Sequence, residues 1–211
     1  KDRIWSNIGI GYNSSFLQQL NITSFYFHLR VQSHIHKRSK NYIIFNPTKK
    51  QYPKPKVVPF TVTKSKRLFT LLGFTFAHNH DNSGVYSSTS FYIDSGNSGI
   101  SINDTAIYEQ LAVSTSGKWR PPDDEEEYET LYVPFRPYNA PSLRVWLALD
   151  VFVEIPGTSW VLYNNGTTIF STYTKNVLGL PFLSSSDFLF DDTNQLLYIT
   201  PDDTMASTTA K

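Results

Sequence analysis

The chain has 211 residues, enough for one well-packed core or one core with a small appendage. Thirteen Tyr and fifteen Phe against only 18% charged residues argue against a disordered chain and for strands, and the absence of Cys excludes disulfides, thiol nucleophiles and Cys-ligated zinc. The net charge of +1 conceals a split: residues 1–80 carry 13 Lys/Arg against one acid, and residues 81–211 carry 6 against 17. Such asymmetry points to nucleic acid, a membrane surface or a complementary partner, or to two halves that neutralise each other within one domain.

Residues 1–20 read as an arm, in which Asn13, Ser14 and Ser15 can cap one helical turn. Residues 22–32 alternate Phe25, Phe27, Leu29 and Val31 with Tyr26, His28 and Arg30, the period of a half-buried strand. A polar break at 36–40 precedes a short apolar run at 42–45. Residues 46–59 hold Pro47, Pro53, Pro55 and Pro59, and proline removes ladder donors, so a loop or irregular edge is expected. Strands follow at 60–62, 67–77 and 85–93, with turn residues at 94–99. Residues 104–111 are the best helix, capped by Asp104 with Ile107 and Leu111 on one face.

An acidic run at 123–127 predicts a solvated loop, and strand character returns at 129–135. Residues 143–155 predict one long strand. Leu143, Val145, Leu147, Leu149, Val151, Val153 and Ile155 share one side, opposite Arg144, Trp146, Ala148, Asp150, Phe152 and Glu154. Two hairpins are expected beyond it. Residues 159–163 and 167–173 flank Asn164-Asn165-Gly166, and residues 188–190 and 196–199 flank a polar turn at 191–194. The polar tail from Asp202 is expected to fray. Many strands, frequent turns and almost no helix predict an all-β sandwich or barrel.

Candidate chemistry is sparse. His34 and His36, and His78 and His80, lie two apart and could ligate a metal only if the pairs met in space; loop or edge histidines are the plainer reading, and no metal or other cofactor is expected. No phosphate loop, nucleophile elbow or paired-His zinc helix occurs, so the chain reads as non-enzymatic. Sequons stand at Asn13, Asn21, Asn103 and Asn165 and matter only in a secreted protein. No apolar run approaches the roughly 20 residues that span a bilayer. No signal-like segment opens the chain; Lys1 comes first and Met205 is the only Met, which suggests a processed product or a fragment. The functional signal lies in Arg30, Lys37, Arg38, Lys40, Lys49, Lys50, Lys54 and Lys56, a basic patch for phosphates or for acidic neighbours. Tyr42, Phe45 and Tyr52 interleave with it and could stack on bases, although Phe45 suits a core or edge better. Asp123, Asp124, Glu125, Glu126 and Glu127 form a candidate acidic assembly loop.

The segment Tyr132-Val133-Pro134-Phe135-Arg136-Pro137-Tyr138-Asn139, followed by the strand at 142–155 and Pro156-Gly157, resembles the end of the jelly-roll coat proteins of picornavirus-like small icosahedral RNA viruses. The likeness covers about 25 residues; the remainder is similar only in style. It implies an eight-stranded antiparallel jelly-roll sandwich with Pro-rich loops and one or two short helices. Residues 1–20 would be an arm, 21–155 the sandwich, and 156–211 a C-terminal hairpin extension. The extension is a departure, since coat proteins of that kind usually stop soon after the last strand; the hairpins could instead belong to the sandwich. The function implied is a capsid subunit that assembles with its siblings around an RNA genome in the host cytoplasm and resides in the virion, with a host receptor as a further partner and no membrane span. The alternative expectation is a lectin-like or adhesin-like sandwich, such as a fibre or spike head, that binds glycan or receptor.

Overall fold

The computed structural model describes residues 12, 14–29, 41–48, 55–63, 66–77, 82–121 and 128–201. These form fifteen strands and four short helices. The chain is mostly β, and its strands lie in two sheets that share one core.

The smaller sheet has five strands: β1 (Ser24–His28), β2 (Tyr42–Phe45), β3 (Lys56–Pro59), β14 (Ser186–Asp191) and β15 (Leu196–Pro201). Their order is β2-β1-β14-β15-β3, all antiparallel. The larger sheet follows the order β11-β10-β5-β6-β13-β7-β12-β9-β8, with β4 (Thr61–Thr63) beside β5. Its longest members are β5 (Lys66–Ala77) and β6 (Asn82–Ile93). Next come β7 (Ile100–Ile102), β8 (Lys118–Arg120) and β9 (Thr130–Tyr132). The hairpin β10 (Ser142–Ala148) and β11 (Val151–Ile155) forms one edge, and β12 (Thr167–Thr172) and β13 (Val177–Leu178) complete the sheet. Neither sheet closes into a barrel.

Period-two patterning places the core. Phe25 and Phe27 on β1, Phe188 and Phe190 on β14, and Leu197 and Ile199 on β15 are buried together. Phe25 stacks on Phe190 at 4.9 Å, and Phe69 of β5 meets Phe190 edge-on at 6.3 Å, which joins the two sheets. Within β5 the burial changes phase. Phe69 and Leu71 are buried before a register shift opposite β6, and Phe74 and Phe76 after it. Gly73, at φ +149, marks the shift; a Cβ there would lie 2.0 Å from the Val85 carbonyl oxygen.

Helix α1 (Ser15–Gln19) starts at Ser14, whose hydroxyl accepts from the Leu17 amide. Helix α2 (Thr105–Thr115) is capped by Asp104, as its sequence predicts, and buries Ile107 and Leu111, but it runs one turn beyond 111 to a left-handed Ser116. Single helical turns α3 (Gly157–Trp160) and α4 (Leu180–Leu183) complete the set. No described helix is long and apolar enough to cross a membrane.

Four expectations need correction. The single strand at 143–155 is the β10–β11 hairpin, and Leu149, assigned to the inward side, is 91% exposed at its turn. Alternation survives the turn because a bulge between Trp146 and Ala148 offsets the change of parity. The turn carries no Asn-Gly because neither Leu149 nor Asp150 takes a positive φ. Residues 159–163 are not a strand: α3 occupies their start, and Val161 makes only an isolated bridge to Thr168. The described residues alone form fifteen strands rather than eight, and two pairs, β12 with β7 and β13 with β6, are parallel. Finally, the segment from 156, expected as an extension, supplies strands to both sheets, and β14 sits at the centre of the smaller one.

Candidate functional site

Of the eight residues of the basic patch, only Lys56 lies among the described residues; Arg30, Lys37, Arg38, Lys40, Lys49, Lys50 and Lys54 lie outside them. Lys56 opens β3, where its Nζ donates to the Asp150 carbonyl and lies 5.7 Å from the Phe152 ring centroid. It therefore ties the edge of the smaller sheet to the β10–β11 turn. The acidic run Asp123–Glu127 and the paired histidines His34, His36, His78 and His80 also lie outside the described residues. Among the described residues, two ion pairs connect the basic first part of the chain with the acidic second part: Arg67 with Asp192, and His28 with Asp187.

The second pair belongs to a polar cluster on the smaller sheet. Tyr26 and His28 are two apart on β1, so they share a face, and both reach the one carboxylate of Asp187 on β14. His28 Nδ1 stands 2.9 Å from Asp187 Oδ1, and the Tyr26 hydroxyl donates to Oδ2. Tyr42 stacks on His28 at 4.7 Å. Burial, then the hydrogen bond to Asp187, pushes the Tyr26 hydroxyl well above the usual phenol range. The neutral hydroxyl is thus a firm donor, and the cluster works as a cross-strand clamp on β1 and β14.

Beside the clamp lies a sheet edge. Tyr42, Ile43 and Phe45 on β2 are 43%, 40% and 38% exposed, and β2 pairs only with β1 among the described strands. Its four residues thus border a ladder that no other described strand pairs with.

A cleft of about 430 Å³ opens on the larger sheet where β7, β12 and β9 run side by side. Its cause is a gap in the ladder. Between Thr167 and Ser171 the β12 register slips against β9, so that three β12 residues face the single Leu131. The Thr168 hydroxyl repairs the break by donating to the Leu131 carbonyl at 2.8 Å and accepting from the Phe170 amide at 3.2 Å. The opposite wall is the β6–β7 turn. There the Asp94 carboxylate accepts from the Gly96 amide, and Asn97 bonds both the Gly99 amide and the Ser101 hydroxyl. Gly99 is required for this wall, because a Cβ there would lie 2.4 Å from the Ile169 carbonyl oxygen.

The rim carries Leu162 and Tyr173, 46% and 54% exposed, together with the half-buried Tyr128. Among the described residues, Asp94 is the one charged residue of the lining, and none of the others is Lys or Arg. Burial, then the charge of Asp94, raises the pKa of neighbouring Tyr92. No protein-family model matches the chain, and no curated protein matches its sequence.

The sequence marks residues 94–99 only as a turn. Tyr128, Thr168 and Tyr173 have no local signal, because the slip that gathers them depends on pairing between strands far apart in the chain. Residues 132–140 run from β9 through a tight turn, in which the Arg136 amide donates to Asn139 Oδ1 and the Asn139 and Ala140 amides return to the Arg136 carbonyl.

Proposed function

We propose that the chain is a non-catalytic shell subunit: a sandwich that joins copies or siblings edge to edge, as a viral coat protein does, around an RNA genome. The observation that carries this reading is the apolar edge of β2. Monomeric proteins blunt such edges with charge, proline or bulges, whereas a subunit whose sheet continues into a neighbour leaves them apolar. The charge split supports it, since 13 Lys/Arg against one acid in residues 1–80, and 6 against 17 in residues 81–211, suit contacts with phosphates or with acidic neighbours. The viral assignment rests on the coat-like segment alone. In this reading the sandwich is an elaborated jelly roll, with early β1 beside late β14 and short strands widening the second sheet.

The test is assembly with and without an edge charge. Purified chain, alone and with RNA, is followed by light scattering across a salt series, beside Ile43→Lys. Large particles that Ile43→Lys reduces to folded monomers, and RNA binding that weakens steeply with salt, support the reading. A wild-type chain that stays monomeric at every salt concentration, alone and with RNA, defeats it.

A further inference from the structure

We infer that the cleft between the β6–β7 turn and β12 is a binding site for a neutral saccharide. The inference is independent of shell assembly, because the cleft lies on the larger sheet and β2 belongs to the smaller one.

The lining selects the ligand by its chemistry. Ser98, Thr130 and Ser171 line the cleft, and among the described residues their hydroxyls make no hydrogen bond. Each such hydroxyl offers a donor and two acceptor lone pairs, the complement of a sugar hydroxyl. Asp94 spends Oδ1 on the Gly96 amide, which leaves Oδ2 to accept from a ligand hydroxyl. Tyr173 and Leu162 supply exposed apolar faces at the rim, against which the C–H face of a pyranose can lie.

The same lining rejects the competing classes. A phosphate, a nucleotide or a sulfated sugar would meet the Asp94 carboxylate with no Lys or Arg among the described lining residues to offset it. A lipid chain would leave the hydroxyls of Ser98, Thr130 and Ser171 desolvated without partners. The walls are also built before any ligand arrives: Asn97 is held at both ends of its amide, Gly99 seats the turn against Ile169, and Thr168 locks the slipped register. Such preorganisation lowers the ordering cost of binding a weak, hydrated ligand.

The experiment is ligand-observed NMR on the full chain with cellobiose, maltose, lactose and diacetylchitobiose at concentrations up to about 10 mM, followed by titration calorimetry of any that bind. At least one is expected to bind with a dissociation constant near or below about 1 mM. Tyr173→Ala is expected to weaken it by about tenfold, with Ser171→Ala also weaker, while Tyr86→Ala, exposed on β6 outside the cleft, binds as wild type. Circular dichroism confirms that each variant is folded. Absence of binding by all four sugars overturns the inference, and so does binding that Tyr173→Ala and Ser171→Ala both leave intact. A cleft that prefers a sulfated disaccharide or a tetrapeptide probe overturns it as well. Assembly, read by scattering, is expected to be unchanged in both cleft variants, so the two readings fail separately.

Discussion

Arg67 and Asp192 form a two-point ion pair that bolts one sheet to the other. Arg67 Nε and Nη2 each donate to a different Asp192 oxygen at 2.6 Å, and the side chains are 9% and 13% exposed. Arg67 lies on β5 of the larger sheet, and Asp192 follows β14 of the smaller one. The guanidinium carbon also sits 4.7 Å from the Phe25 ring centroid and 5.5 Å from that of Phe190, so the charge is wrapped in aromatic faces. Removing the carboxylate takes away the two-point partner of a cation held among aromatic faces. Asp192→Ala is therefore expected to cost about 3 kcal/mol in urea unfolding, and the double variant Arg67→Met/Asp192→Ala to recover part of that loss. A cost of Asp192→Ala below about 1 kcal/mol contradicts this account.

The β10–β11 turn separates two leucines that the alternating pattern treats alike. Leu147 is 6% exposed and Leu149 is 91% exposed. Leu147→Ala is expected to cost about 2–4 kcal/mol, and Leu149→Asn to stay within about 0.5 kcal/mol of wild type. Equal costs would mean that residues 143–155 form one continuous strand after all.

Gly73 allows β6 to approach β5 at the register shift. Its φ of +149 and the 2.0 Å approach of the Val85 carbonyl oxygen to any added Cβ leave no room for a methyl group. Gly73→Ala is expected to destabilise by about 3 kcal/mol or to prevent soluble expression, whereas Gly96→Ala, where the nearest atom is the Asp94 carboxylate oxygen at 3.1 Å, is expected to be mild. Thermal melts of the two variants side by side decide the matter.

Tyr108 gives the fold a handle at alkaline pH. Burial, then its 2.6 Å hydrogen bond to Glu129, pushes its hydroxyl from 10.0 to about 12. Tyr108 also stacks on Trp119 at 4.6 Å, so the group holds α2 against β8. Above pH 10 the unfolded chain releases this proton while the folded chain keeps it. Its contribution is thus complete below pH 10 and fades as pH rises towards 12. Urea midpoints measured at stepped pH are expected to fall less steeply between pH 10 and 12 for Tyr108→Phe than for wild type. Identical slopes would remove Tyr108 from the explanation.

The sequence alone marked several of the strands and much of their buried faces, because a period of two is local and needs only neighbours along the chain. That is why Phe25 and Phe27, Phe188 and Phe190, and Leu143, Val145, Val153 and Ile155 are recognisable as core before any pairing is known, and why Asp104 announces α2. Local pattern cannot report a turn that preserves parity, so the β10–β11 hairpin was hidden behind its own bulge. Nor can it report partners. That β14 lies between β1 and β15, that Arg67 meets Asp192 across 125 positions, and that β12 slips against β9 to open a cleft are all decided by long-range pairing. The mostly-β character was thus written in side-chain alternation, but the candidate site was made only when distant strands closed on one another, since hydrogen-bond register between strands is a property of the fold and not of either segment.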